Sequence, residues 1–139
     1  MPLMRLMSSV PSLRKWLILA LAAPALFLLL RSYATAENGL SPSEAAAWIK
    51  EDKQLQLIDV RSEAEYATGR LAEAKLIPVQ EIEDRLSEID EHRPVLLYCR
   101  TGHRSGYALK ILRDHDYSEA KHLAGGINAW RAAGLPIVR

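Results

Sequence analysis

The chain is 139 residues long, 49% hydrophobic, and carries 18 basic and 17 acidic side chains for a formal charge of +1. That length leaves room for one ordinary domain, and no fixed-period repeat points to a solenoid. Charge is uneven: the first 36 residues hold Arg5, Arg14, Lys15 and Arg31 and no acid, so fourteen basic against seventeen acidic residues remain, a formal −3 that gives no electrostatic basis for nucleic acid binding.

In chain order, the N-terminus is laid out as an export signal. A basic stretch ends at Arg14-Lys15, the apolar run Trp16 to Leu30 follows, and Ala34-Thr35-Ala36 precedes Glu37. The run is broken by Pro24 and would rise only about 22 Å as a helix, short of the roughly 30 Å hydrocarbon core. Residues 1–36 are therefore expected to be a cleaved signal peptide, with an uncleaved anchor as the alternative. Residues 37–139 are expected to form the working domain on the far side of the membrane, periplasmic or otherwise extracytoplasmic. The membrane would then be a partner only through an uncleaved leader.

Within 37–139, Ser41-Pro42-Ser43-Glu44 is a capping box with proline at the first helical position, which predicts a helix from about Pro42 to Glu51. Leu55, Leu57, Ile58 and Val60 predict a buried strand that ends at Asp59-Val60-Arg61. A short helix from Ser62 to Ala67 stops at Gly69, and a brief strand at Lys75-Leu76-Ile77 is closed by Pro78. Ile82, Leu86 and Ile89 recur at helical spacing and predict an amphipathic helix from Gln80 to Ile89, whose charged face of Glu81, Glu83, Asp84, Arg85 and Glu88 is expected to be solvated. Val95 to Tyr98 is a strongly apolar strand, followed without a gap by the polar loop Cys99 to Arg104 and a helix from Ser105 to about His115. A last strand from Ala120 to Leu123, a Gly125-Gly126 turn and a helix from Ile127 to Ala133 complete the chain. This alternation predicts an α/β fold with a central, mostly parallel sheet covered by helices on both faces.

Cys99 is the only cysteine, so it cannot form an internal disulfide. It is inert and buried, paired to another molecule, or kept for its reactivity. Ligands of such folds bind beyond the carboxyl ends of the strands, and Cys99 sits at one of those ends directly before a helix. A free thiol has a pKa of about 8.5, and only the thiolate attacks efficiently. A helix N-terminus supplies about 0.3–1 kcal/mol, which is less than one pKa unit. Arg100, Arg104 and the loop amides must therefore supply the rest, and Gly102 is the residue that tolerates the curl such a loop needs.

The loop Cys99-Arg100-Thr101-Gly102-His103-Arg104-Ser105 resembles the active-site loop of the rhodanese family. Asp59-Val60-Arg61 with Glu65-Tyr66 and Gly69 resembles that family's first signature, and Leu123-Ala124-Gly125-Gly126-Ile127-Asn128-Ala129-Trp130 with Gly134-Leu135-Pro136 its last. The resemblance runs over about residues 41–138. It implies a thiosulfate sulfurtransferase: sulfane sulfur passes from thiosulfate or a similar small-molecule donor to a Cys99 persulfide, then to cyanide or a thiol acceptor, which can be a thiol protein. On this resemblance Cys99 is the catalytic nucleophile and carrier. Arg100 and Arg104 bind the donor, the amides of residues 100–104, including Thr101, Gly102 and His103, hold the persulfide, and no metal or nucleotide cofactor is needed. Asp59, Arg61 and Ser105 support the site, with Glu65 a candidate partner for Arg61.

Two other functions stand beside this one. A non-catalytic sulfur carrier or binding module would have the same loop. Phosphatases and arsenate reductases with related folds have five residues between cysteine and arginine, which here would place the arginine at Ser105. With Arg104 one position earlier, the loop has the shorter sulfurtransferase length. His92, His115 and His122 show no ligand spacing, so no metal site is expected. Trp48 and Trp130 read as core residues. Where the family commonly has Gly-His-Ile-x-Gly-Ala, this chain has Gly69-Arg70-Leu71-Ala72-Glu73-Ala74. An altered loop around Glu73 is expected there, and Arg70 has no assigned role.

Overall fold

The structure, a computed structural model, describes Pro24, Leu26, Phe27 and residues 39–139. The chain divides into two units, residues 1–34 and 35–139. In the first, Pro24, Leu26 and Phe27 are helical and exposed; the basic stretch, Arg31 and the Ala34-Thr35-Ala36 site of the expected leader lie outside the described residues. Among the described residues no helix is long and apolar enough to cross a membrane.

In the second unit, helix α1 (Pro42–Glu51) starts as its capping box dictates. The Ser41 side chain accepts from the Glu44 amide and the Glu44 carboxylate accepts from the Ser41 amide. Strand β1 (Gln56–Asp59) follows, then α2 (Glu63–Thr68), which opens on a second capping box between Ser62 and Glu65. Strand β2 (Lys75–Leu76), strand β3 (Val95–Tyr98), helix α3 (His103–Asp114), strand β4 (Ala120–His122) and helix α4 (Gly126–Ala132) complete the order.

The four strands form one parallel sheet in the order β2-β1-β3-β4. Alternation along the strands divides the core between the two faces. Ile58, Val95, Leu97 and Cys99 pack with Ala108, Leu109 and Leu112 of α3. Leu57, Leu96 and Tyr98 pack on the other face with Ala45, Ile127 and Trp130. Both faces are covered, as the near-continuous apolar strands require. The chain leaves β1 toward β2 on one side and returns to β3 on the other, so the strand order reverses between β1 and β3. Their carboxyl ends lie side by side, with Asp59 in register with Tyr98, and Val60 N donates to Tyr98 O at 2.9 Å. This switch point is the place where open α/β sheets present a crevice.

The expected helix from Gln80 to Ile89 does not form. Two single 3-10 turns, Val79–Glu81 and Leu86–Glu88, replace it. Ile82 and Ile89 are still buried and Leu86 still packs on the core, so the apolar spacing marked the right residues with the wrong backbone. The reason is tertiary. The Tyr117 hydroxyl donates to the carbonyls of Leu86 and Ile89, at 2.8 and 2.9 Å, and such external donors replace bonds that a short helix with a costly nucleus would otherwise need. The helix expected to start at Ser105 begins two residues earlier, at His103. Glu73, where the loop was expected to depart from the family pattern, takes φ 64°. This is the left-handed region that favours glycine, at a cost of roughly 1–2 kcal/mol for another residue.

Candidate active site

Cys99 follows β3 directly and is 1% exposed. The chain then curls over its sulfur: Gly102 takes φ 100°, ψ −13° as the N-cap of α3, and its amide donates to Cys99 Sγ at 3.1 Å. Burial opposes ionisation of the thiol. The hydroxyl and amide of Ser105 and the amides of Gly102 and Thr101 outweigh it and hold the thiol below its ordinary pKa. The chief lowering influences are thus directed donors from the loop and the first turn of α3, which is the physics of an anion cradle.

A second helix N-terminus holds the loop from behind. Ile127 N donates to Cys99 O at 2.8 Å and Asn128 N to Arg100 O at 3.1 Å. Gly126 makes the approach possible, because a Cβ there would lie 2.5 Å from the carbonyl oxygens of both Cys99 and Arg100. The Gly125-Gly126 pair is therefore more than a turn. It opens α4 onto the backbone of the cysteine loop, a long-range contact that no local sequence pattern displays.

The expected supports are arranged differently from the sequence reading. Arg61 pairs with Asp59, not with Glu65: its Nη2 lies 2.7 Å from Asp59 Oδ2 and also donates to Gly69 O at 2.7 Å. Both partners are buried, and Asp59 Oδ1 also accepts from the Arg61 amide. Tyr98 is pushed well above its ordinary pKa by burial and then by the Asp59 charge. Its neutral hydroxyl accepts from Leu71 N at 3.1 Å. Glu65 instead grips Arg104 with two bonds of 2.8 Å each. The Arg104 guanidinium, opposed by burial and joined by the Ser62 donors, holds the Glu65 carboxyl at about 2. Ser62-x-x-Glu65 is a capping box readable in the sequence, but its second use, as the clamp on Arg104, depends on α2 meeting the start of α3.

Arg100, Thr101 and His103 are exposed on the loop's outer side, while Arg104 is about one-third exposed. Ser105 is fully buried; its hydroxyl lies 3.2 Å from Gly102 O and 3.0 Å from Nδ1 of His122. The loop residues, Asp59, Arg61 and Ser105 thus converge at the β1/β3 switch point. Arg70 lies over the Tyr66 ring, 4.5 Å from its centroid, and its backbone pairs with Val138. Trp130 is buried and donates to Pro136 O, whereas Trp48 is only partly buried, with Lys121 over its ring. A separate cavity of about 390 Å³, lined by residues including Gln56, Lys75, Glu88 and Arg93, contains none of the residues expected at the site. Among the described residues no cluster of three or more His, Cys, Asp or Glu is placed to hold a metal ion.

Comparison with known proteins identifies the family and the fold. The model of the rhodanese-like domain matches residues 41–133. A sulfurtransferase of Allochromatium vinosum is 37% identical over 101 residues, which cover 73% of this chain and 94% of that protein. A probable adenylyltransferase/sulfurtransferase of Mycobacterium tuberculosis, MoeZ, is 38% identical over 93 residues, covering 66% of this chain but only 24% of the relative. The crystal structure of a rhodanese-like domain protein from Staphylococcus aureus superposes with a TM-score of 0.63 at 31% identity, covering 72% of this chain and 97% of that one.

Proposed function

The chain belongs to the rhodanese-like family, and from that membership we propose that it is a sulfurtransferase that carries sulfane sulfur on Cys99, with thiosulfate or a chemically similar anion as donor. The Cys99 thiolate attacks the outer sulfur of thiosulfate, a new S–S bond forms, and the old one breaks with its electron pair leaving on sulfite. A cyanide ion or a thiolate then attacks the outer sulfur of the persulfide, and Cys99 departs as thiolate. In each half-reaction the electron pair of the broken S–S bond leaves with the departing group, so no external oxidant or reductant is needed.

The single observation that carries this reading is the set of donors aimed at Cys99 Sγ, among them Gly102 N at 3.1 Å. The same donors suit a thiolate before the first step and a persulfide anion after it. Exposed Arg100 is the cation available to the donor's sulfonate end. Arg104, gripped by Glu65, contributes its field from a fixed position, since its charge and that of the thiolate interact.

Incubation of the protein with thiosulfate should add one sulfur atom, about 32 Da by ordinary atomic mass, to the intact mass. Cyanide should then remove it as thiocyanate. An adduct that persists in Cys99→Ser, or no adduct with any sulfane donor, would sink the mechanism. We also propose that residues 1–36 direct export and are removed, on the layout of basic stretch, apolar run and Ala34-Thr35-Ala36. N-terminal sequencing of the mature protein should begin at Glu37, and retention of Met1 would favour an anchor.

A further inference from the structure

Among the buried titratable side chains that the chemistry above does not use, one lies against the cysteine loop's serine. His122, the last residue of β4, is 7% exposed, and its Nδ1 lies 3.0 Å from the Ser105 hydroxyl oxygen. The ring is held from two sides: a Cβ at Gly39 would come within 2.8 Å of its Nε2, and one at Gly106 within 3.6 Å of its Cε1. Ser105 has a single hydroxyl hydrogen. Three acceptors can compete for it: Gly102 O at 3.2 Å, an unprotonated His122 Nδ1, and the ionised Cys99 sulfur, which this hydroxyl helps to stabilise. If Nδ1 carried its lone pair, the hydrogen would be drawn away from the sulfur. If Nδ1 carries the proton, the ring donates to Ser105 Oγ and the hydroxyl hydrogen is left for the sulfur.

We propose that His122 is a positioning residue of the active site, whose Nδ1–H donates to Ser105 Oγ and so turns the Ser105 hydroxyl onto the thiolate or persulfide of Cys99. While the thiol is protonated the hydroxyl rests on the Gly102 carbonyl. When the sulfur ionises, rotation about one C–O bond carries the hydrogen across. The inference rests on the reading of Cys99 as the sulfur carrier. The other charges around the thiol are Arg104 with Glu65 from α3 and α2, the Asp59–Arg61 pair after β1, and Arg100 and His103 in the loop. Beside His122 on its own strand, Lys121 is exposed over Trp48. All of these are unchanged in the variants below, and the Ser105→Ala background tells whether an effect of His122 on Cys99 titration runs through Ser105.

Full-length protein and its His122→Leu, His122→Asn and Ser105→Ala variants are alkylated with iodoacetamide over a range of pH, and Cys99 modification is followed by intact mass. The expected result is an apparent Cys99 pKa raised by about one unit in His122→Leu and Ser105→Ala, roughly a tenfold loss of thiolate at any pH well below it. His122→Asn, whose side-chain amide offers an N–H near the place of Nδ1, should keep the profile close to wild type. His122→Leu should add nothing in the Ser105→Ala background. An unmoved profile in a cooperatively folded His122→Leu, or a His122→Asn profile shifted as far as His122→Leu, overturns the proposal. If His122→Leu does not fold, an unmoved Ser105→Ala profile overturns it instead. Alkylation needs no sulfur donor, so failure of sulfur loading beside the expected alkylation profiles would count against the sulfurtransferase reading alone.

Discussion

Cys99 stands between burial, which favours the neutral thiol, and four inward-pointing donors, which favour the anion. The two nearby arginines divide the remaining work. Arg104 is tied to Glu65 by two 2.8 Å bonds, whereas Arg100 is exposed on the rim. Arg100→Ala should therefore raise KM for thiosulfate several-fold and change stability by no more than about 0.5 kcal/mol, as for other exposed positions; steady-state kinetics and a denaturant titration read the two effects. Arg104→Ala should instead lower stability by about 1 kcal/mol, discounted for its partial exposure, and weaken sulfur loading. A double-mutant cycle with Glu65→Ala should show clear non-additivity in stability, since the pair shares one contact. Equal and additive losses would mean that Arg104 acts independently of Glu65.

At the scale of elements, two helix N-termini meet at one loop. The start of α3 points amides at the sulfur, and the start of α4 points amides at the carbonyls of Cys99 and Arg100. Gly126 sits at the junction with φ 61° and backbone atoms 2.5 Å from where a Cβ would be. Those atoms belong to the loop itself and cannot swing aside as a side chain tip would. Gly126→Ala should cost at least about 3 kcal/mol, combining the left-handed conformation with overpacking. It should also slow alkylation of Cys99, because the loop must shift away from α4. A melting temperature within a degree or two of wild type would show that the contact is softer than the geometry implies.

For the whole molecule, the Glu65–Arg104 clamp makes stability depend on acid. The Glu65 carboxyl is held at about 2 against an ordinary 4.5, so its folded pKa is depressed. Its stabilising contribution is complete above about 4.5 and is lost as the pH falls from there toward 2. Denaturant midpoints measured across that window should fall for wild type more steeply than for Glu65→Gln, which has no carboxyl to protonate at this position. Parallel slopes for the two proteins would remove the clamp from the acid response.

Much of this is legible in the sequence itself. Capping boxes at Ser41 and Ser62, apolar runs bounded by Pro and Gly, and the strand–loop–helix around Cys99 are local features. Hydrogen bonds among near neighbours and burial periodicity determine them, so the sequence by itself established the α/β class, the element order and the nucleophile candidate. The tertiary structure alone decided which partner each charged group takes. Glu65 meets Arg104 rather than Arg61, Tyr117 holds residues 86–89 in a 3-10 turn rather than a helix, Gly126 admits the loop, and His122 reaches Ser105. Those pairings join residues 17 to 39 positions apart, and contacts across such separations are settled by how helices pack on the sheet, which no local propensity encodes.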